Sequence, residues 1–100
     1  MVLEFEAELW IWEARRVDSW TFLALPADSS EEIQEFTGGL RRGFGSLRVR
    51  VTIGLTTWTT SIFPDSSRKS YVLPVKRAVR KAESIEAGDV ARVSVEILDF

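Results

Sequence analysis

Along most of this chain apolar and polar residues alternate, and the period departs from two in only two short stretches. From Leu3 to Trp12, Leu3, Phe5, Ala7, Leu9 and Ile11 fall on one side, and Glu4, Glu6, Glu8, Trp10 and Trp12 on the other. Such alternation predicts a half-buried strand, because successive side chains leave opposite faces of a sheet. Glu13 to Ser19 is polar and reads as a loop. Trp20 to Leu25 reads as a second strand, stopped by Pro26, which lacks a backbone donor. Leu47, Val49, Val51 and Ile53 alternate with Arg48, Arg50 and Thr52, giving a third strand. Gly54-Leu55 suits a two-residue type II′ turn into a fourth, Leu55 to Phe63. Pro64 to Lys69 reads as an exposed loop. Ser70 to Leu73 is a short fifth strand, and Val90 to Leu98 a sixth, with Ala91, Val93, Val95 and Ile97 on one face.

The two exceptions are helical. After Pro26, Asp28, Ser29 or Ser30 can cap a helix, and Ser29 with Glu32 fits a capping box. Ile33 and Phe36 would face its core side, and Gly38-Gly39 would end it. Val75 to Glu83 follows Pro74, with Val75, Ala78, Val79 and Ala82 as an apolar stripe and Lys76, Arg77, Arg80 and Lys81 facing outward. Leu40 to Gly45 is a loop, and Ala87-Gly88-Asp89 a turn. Strands joined by short turns argue for a mainly β fold: a small closed or nearly closed antiparallel barrel of about six strands with two short helices. At 100 residues the chain reads as a single domain.

Composition narrows the chemistry. The chain has no cysteine and no histidine. Thiol nucleophiles, thiolate metal sites and disulfides are excluded, together with the usual general base near neutral pH. No cofactor is expected, and no loop has the ligand spacing of a calcium or magnesium site. No stretch approaches the ~20 apolar residues of a membrane span, and the first residues do not read as a signal peptide, so a cytoplasmic location is expected.

Several motifs in order carry a resemblance. Trp20-Thr21-Phe22-Leu23-Ala24-Leu25-Pro26 looks like an aromatic strand ending in proline. Arg48 to Gly54, then Trp58 through Ser61-Ile62-Phe63-Pro64, look like a central hairpin. Tyr71-Val72-Leu73-Pro74-Val75-Lys76-Arg77-Ala78-Val79-Arg80-Lys81-Ala82 looks like a signature, and Ala87-Gly88-Asp89-Val90 like a closing turn. Together they resemble the bacterial domain of unknown function nineteen-oh-five. The resemblance implies a barrel related to the double-split barrels, found alone or fused to domains of the YdeI/OmpD-associated type, with no established reaction or ligand. Leu55 departs from the pattern, standing where a second glycine or small polar residue is more typical.

Charge is segregated. Residues 1–40 hold nine acids and two bases, residues 41–82 ten bases and one acid, and residues 83–100 five acids and one base. The basic middle segment offers Arg41, Arg42, Arg48 and Arg50, with the second helix, to nucleic acid. Against that, a pI near 5.2 lies far below the range expected of such binders. Glu4, Glu6 and Glu8 would also neutralise Arg48 and Arg50 if they lie across from them. Lys76 and Arg80, four apart, would share one helix side and can hold an anion near the helix start; the plainer reading is a solvated face. Trp10, Trp12 and Trp20, with Phe22, would form an aromatic interaction patch unless that face is covered. Trp58, Thr60 and Ser61 would line a pocket mouth, or serve only as strand formers. Gly38-Gly39 and Gly43-Phe44-Gly45 lack the context of a phosphate loop.

Function follows from these surfaces: a non-catalytic module binding a small anionic ligand or a protein partner. A weak nucleic-acid binder using residues 41–82 is the second reading. An enzyme working with Lys76 or carboxylates is the third; three glutamates on one strand face share one environment, which does not split acid from base.

Overall fold

The computed structural model describes residues 1–11, 21–37, 45–65 and 67–98. Its elements run β1 (Val2–Ile11), β2 (Thr21–Ala24), α1 (Ala27–Thr37), β3 (Leu47–Ile53), β4 (Thr56–Asp65), β5 (Ser70–Pro74), α2 (Arg77–Glu83) and β6 (Val90–Ile97). The strands close into a barrel in the order β1-β2-β5-β4-β3-β6, each neighbour pair antiparallel. This is the mainly β architecture that the alternation predicts.

Two long strands hold the barrel together. β1 pairs with β6 from Val2↔Glu96 to Glu8↔Val90, then with β2 from Leu9↔Leu23 to Ile11↔Thr21. β4 pairs with β3 from Thr56↔Ile53 to Ile62↔Leu47, then with β5 from Phe63↔Val72 to Asp65↔Ser70. Each therefore passes from one half of the barrel to the other, as corner strands do in orthogonally packed sheets. At the β1 corner the Leu9 N–H donates to the Asp89 carbonyl at 2.9 Å, and the Gly88 N–H donates to the Leu9 carbonyl at 2.8 Å. Two residues thus oppose one. With Gly88 at φ +97 this is a glycine bulge, which sharpens the bend where the partner changes.

The inward residues fill the interior. Leu9, Leu23, Val49, Val51, Ile62, Leu73, Val93 and Val95 are fully buried, and Ile33 from α1 and Val79 from α2 join the same core. Branched and aliphatic side chains of this kind pack a small barrel solid. The predicted inward face of β1 holds for Leu3, Phe5 and Leu9, but Ile11 at its end is exposed.

The helices depart from expectation in instructive ways. α1 begins at Ala27, and the Ser30 N–H donates to the Pro26 carbonyl at 3.0 Å. Ser29 and Ser30 therefore lie inside the first turn, buried, and the expected capping box does not form. Ser30 serves instead as a clamp, its hydroxyl accepting the Tyr71 N–H at 3.1 Å and tying α1 to β5. Ile33 faces the core, but Phe36 is exposed. α2 starts at Arg77, with Lys76 extended before it. Val75 and Val79 are buried as expected, whereas Ala78 and Ala82 are exposed, since a single turn of contact suffices to seat so short a helix. At its end Ser84 adopts φ +54, and the Ile85 N–H reaches back to the Arg80 carbonyl at 3.0 Å, a Schellman closure that tucks Ile85 against the core.

This closure aims Glu83 at the β3–β4 turn. Its carboxylate accepts the Thr56 hydroxyl at 2.6 Å and the Leu55 N–H at 3.3 Å. Gly54 takes φ +59, as the first position of a type II′ turn requires, and fully exposed Leu55 is accommodated beside it.

Candidate functional site

The exterior of the barrel has two unlike halves. Where β1, β6, β3 and the first part of β4 pair, the outward positions are charged or hydroxylated except for exposed Val2 and Val90 at the ends of the β1–β6 ladder. Arg50 meets Glu96 at 2.7 Å, Arg92 meets Glu4 at 3.5 Å, and the Thr52 and Thr57 hydroxyls bond at 2.9 Å. The expectation that Glu4, Glu6 and Glu8 face Arg48 and Arg50 is thereby corrected: β6 lies between β1 and β3 and supplies Arg92 and Glu96 as the partners.

Around the other half the outward positions are apolar. Trp10 lies opposite Phe22, which lies opposite Pro74; Ala24 lies opposite Val72, which lies opposite Phe63. Five of the six are half-buried and Phe63 is exposed. The Trp10 and Phe22 rings stack with centroids 5.4 Å apart. Lys76 continues the outward alternation of Val72 and Pro74 beyond β5, and Arg68 and Lys69 precede it, so exposed cations stand at both ends of that strand.

The β4–β5 turn reaches back over this face. The Arg68 guanidinium lies 4.0 Å from the centre of the Trp10 ring, within cation–π range. Its Nε is held by the Asp65 carboxylate at 3.3 Å. Asp65 in turn accepts the Ser67 hydroxyl at 2.7 Å and the Ser67 N–H at 3.0 Å. The Ser67 hydroxyl is the main cause that holds the Asp65 carboxyl below its ordinary value; the N–H groups of Ser67 and Arg68 and the Arg68 charge add to it, against some opposing desolvation. The Trp10 indole nitrogen is sealed from solvent and has no hydrogen-bond partner among the described residues.

A family model described as a domain of unknown function (DUF1905) matches residues 5–95. The chain belongs to that family. The match runs from Phe5 in β1 to Val95 in β6 and so takes in every strand and both helices of the DUF1905 barrel. No curated protein matches the chain.

The remaining residues singled out in the sequence fall in different places on the DUF1905 barrel. Trp58 is buried opposite Val51 and belongs to the core. Thr60 points inward beside it, half-buried opposite Val49, whereas Ser61 points outward opposite Arg48. These three do not share a face. Lys76 is exposed, and the Arg80 Nε donates to the Val75 carbonyl at 3.1 Å. The hydrogen-bonded link from α2 to β4 runs through Glu83 and Thr56, not through Lys76. Trp12 and Trp20 lie outside the described residues, as do Arg41, Arg42 and the glycines from Gly38 to Gly43.

Two of the surface depressions are formed by described residues other than Trp58, Thr60, Ser61 and Lys76. One, on α2, is shallow and lined by Arg77, Arg80, Lys81, Ser84 and Glu86, among others. The other, of about 420 Å³, lies between α1 and the β4–β5 turn, where Ser30, Gln34, Asp65, Lys69 and Tyr71 meet. Among the described residues no three acidic side chains gather as metal ligands, and no helix is long and apolar enough to cross a membrane.

Sequence reasoning found Trp10 and Phe22 but missed Phe63, Val72, Pro74 and Arg68. A signal for Val72 and Pro74 was present. Val72 and Pro74 alternate with the core residues Tyr71 and Leu73, so β5 is apolar on both faces, unlike β3 with its outward Arg48 and Arg50.

Proposed function

We propose that this barrel is a non-catalytic protein-binding module, docking through the outer face formed by Trp10, Phe22, Ala24, Phe63, Val72 and Pro74. One observation carries the reading: the apolar residues of this half continue onto the outside, beyond a core that already buries the inward side chains. A contiguous apolar surface with a polar surround is the usual form of an interaction site. Exposed Arg68, Lys69 and Lys76 around it favour a partner segment that combines apolar side chains with carboxylates. On this reading the protein works in solution in the cytoplasm, and the resemblance implies a bacterial setting.

Selection of displayed peptides against the folded protein tests this. Binders should combine apolar and acidic residues. Phe63→Asp should weaken them about ten-fold or more, while Thr59→Asp on the opposite half leaves affinity within about two-fold. Absence of any binder, or binders indifferent to Phe63→Asp, overturns the proposal. A second reading, capture of a small anion, is favoured by the α2 depression with Arg77, Arg80 and Lys81. A phosphate titration that shifts the Arg77 and Lys81 amides, but not Trp10 or Phe63, would support it instead.

A further inference from the structure

We infer that Arg68 and Trp10 together form a carboxylate anchor, so that the docked partner presents an Asp or Glu side chain next to an apolar one. The inference rests on the docking reading above and specifies its chemistry. Two donor-only groups meet at this spot. The guanidinium is engaged only at one edge, where Nε faces Asp65 at 3.3 Å, and its two Nη nitrogens have no partner among the described residues. Beneath it, 4.0 Å away, lies an indole whose N–H also lacks an acceptor among those residues. A buried donor without an acceptor is costly, and both groups can only donate.

The group that satisfies both is an acceptor with two oxygens. A carboxylate takes the outward fork of an arginine in a two-point contact, and its charge is matched there better than that of a neutral amide. Arg68 is 45% exposed and sits on a turn, so a carboxylate that draws it aside uncovers the ring below. Asp65, itself bonded by Ser67, holds the guanidinium at Nε, the edge about which it can swing, and leaves both Nη nitrogens for the incoming carboxylate. Exposed Lys69 adds a second positive charge next to it. Phe22 stacks on Trp10, and Phe63 and Val72 continue the apolar surface, giving the neighbouring side chain its seat.

Isotope-labelled full-length protein, with the Trp10 indole signal assigned from Trp10→Phe, provides the test. The probes are a blocked Phe-Glu dipeptide and its Phe-Gln counterpart. The Glu probe should shift the Trp10 indole proton in a saturable way and bind about five-fold or more tightly than the Gln probe at low salt, the difference shrinking as salt rises. Arg68→Met should erase the difference, and Arg68→Lys should restore part of it. Equal binding of the two probes, or a silent Trp10 indole while Phe22 and Phe63 signals move, overturns the anchor but leaves the docking face standing. Silence of every signal on the face, with either probe, overturns both.

Discussion

The two halves of the barrel share one interior yet present opposite exteriors. On the polar half outward side chains of neighbouring strands meet in complementary pairs, as Arg50 does with Glu96 and Thr52 with Thr57. Such exposed pairs contribute roughly 0.2–1 kcal/mol each, and mainly keep that surface solvated. On the apolar half, ring stacking and an arginine laid over Trp10 do the covering, and an indole donor is left without an acceptor among the described residues. The contrast teaches that one shared interior does not dictate how the exterior is covered: polar side chains pair on one half, and apolar ones pack on the other.

The sharpest way to break the polar half is Gly54→Val. Its Cβ would land on the Glu83 carboxylate, and φ +59 is strained for a β-branched residue. A loss of about 3 kcal/mol is expected in denaturant unfolding, because the Thr56 and Leu55 hydrogen bonds go with it. A stability within experimental error of wild type would show that Glu83 does not hold the turn. On the apolar half Ser30→Ala removes the acceptor of the Tyr71 N–H, costing about 1–2 kcal/mol. Native-state hydrogen exchange should report the opening at β5 and α1, leaving β3 and β6 protected; uniform loss of protection would mean that the halves unfold as one.

The smallest effect concerns pH. Because Asp65 titrates below its ordinary value in the folded protein, it adds stability that is complete above the unfolded value near 3.8 and disappears as pH falls through the folded one. Asp65→Asn should therefore narrow the stability difference between pH 6 and about pH 3 and loosen Arg68 from the Trp10 ring, the latter visible as altered tryptophan fluorescence. An unchanged acid limb would show that the β4–β5 turn is not held by this carboxylate.

Much of the fold was legible because inward residues recur at a period of two in β1, β3 and β6, and because Pro26, Gly54 and Pro74 punctuate the strands. What alternation could not convey was adjacency. Nothing in the order of the chain says that β6 returns between β1 and β3, so the partners of Glu4 and Arg50 were misassigned. The start of α1 was missed because Pro26 and Ala27 carry no side-chain cap signal, while Ser29 and Ser30 do but lie inside the first turn, where the Ser30 hydroxyl holds the Tyr71 N–H. A helical stripe also cannot reveal how much of itself a neighbour covers, hence exposed Phe36, Ala78 and Ala82. The meeting of Arg68 with Trp10 joins residues far apart in sequence, and no local pattern foretells it.

Closure of the ring has one more consequence. Every strand has two neighbours in the ring, but β1 and β4 change partner part-way, so Val2–Glu8 pair with β6 alone and Thr56–Ile62 with β3 alone among the described residues. Strand addition, one way in which β domains capture extended peptides, has room only along those two stretches and none where β2 and β5 pair on both sides. A partner on the proposed docking face would therefore meet side chains laid against the wall, and its binding would be sensitive to single substitutions in a way that backbone pairing is not.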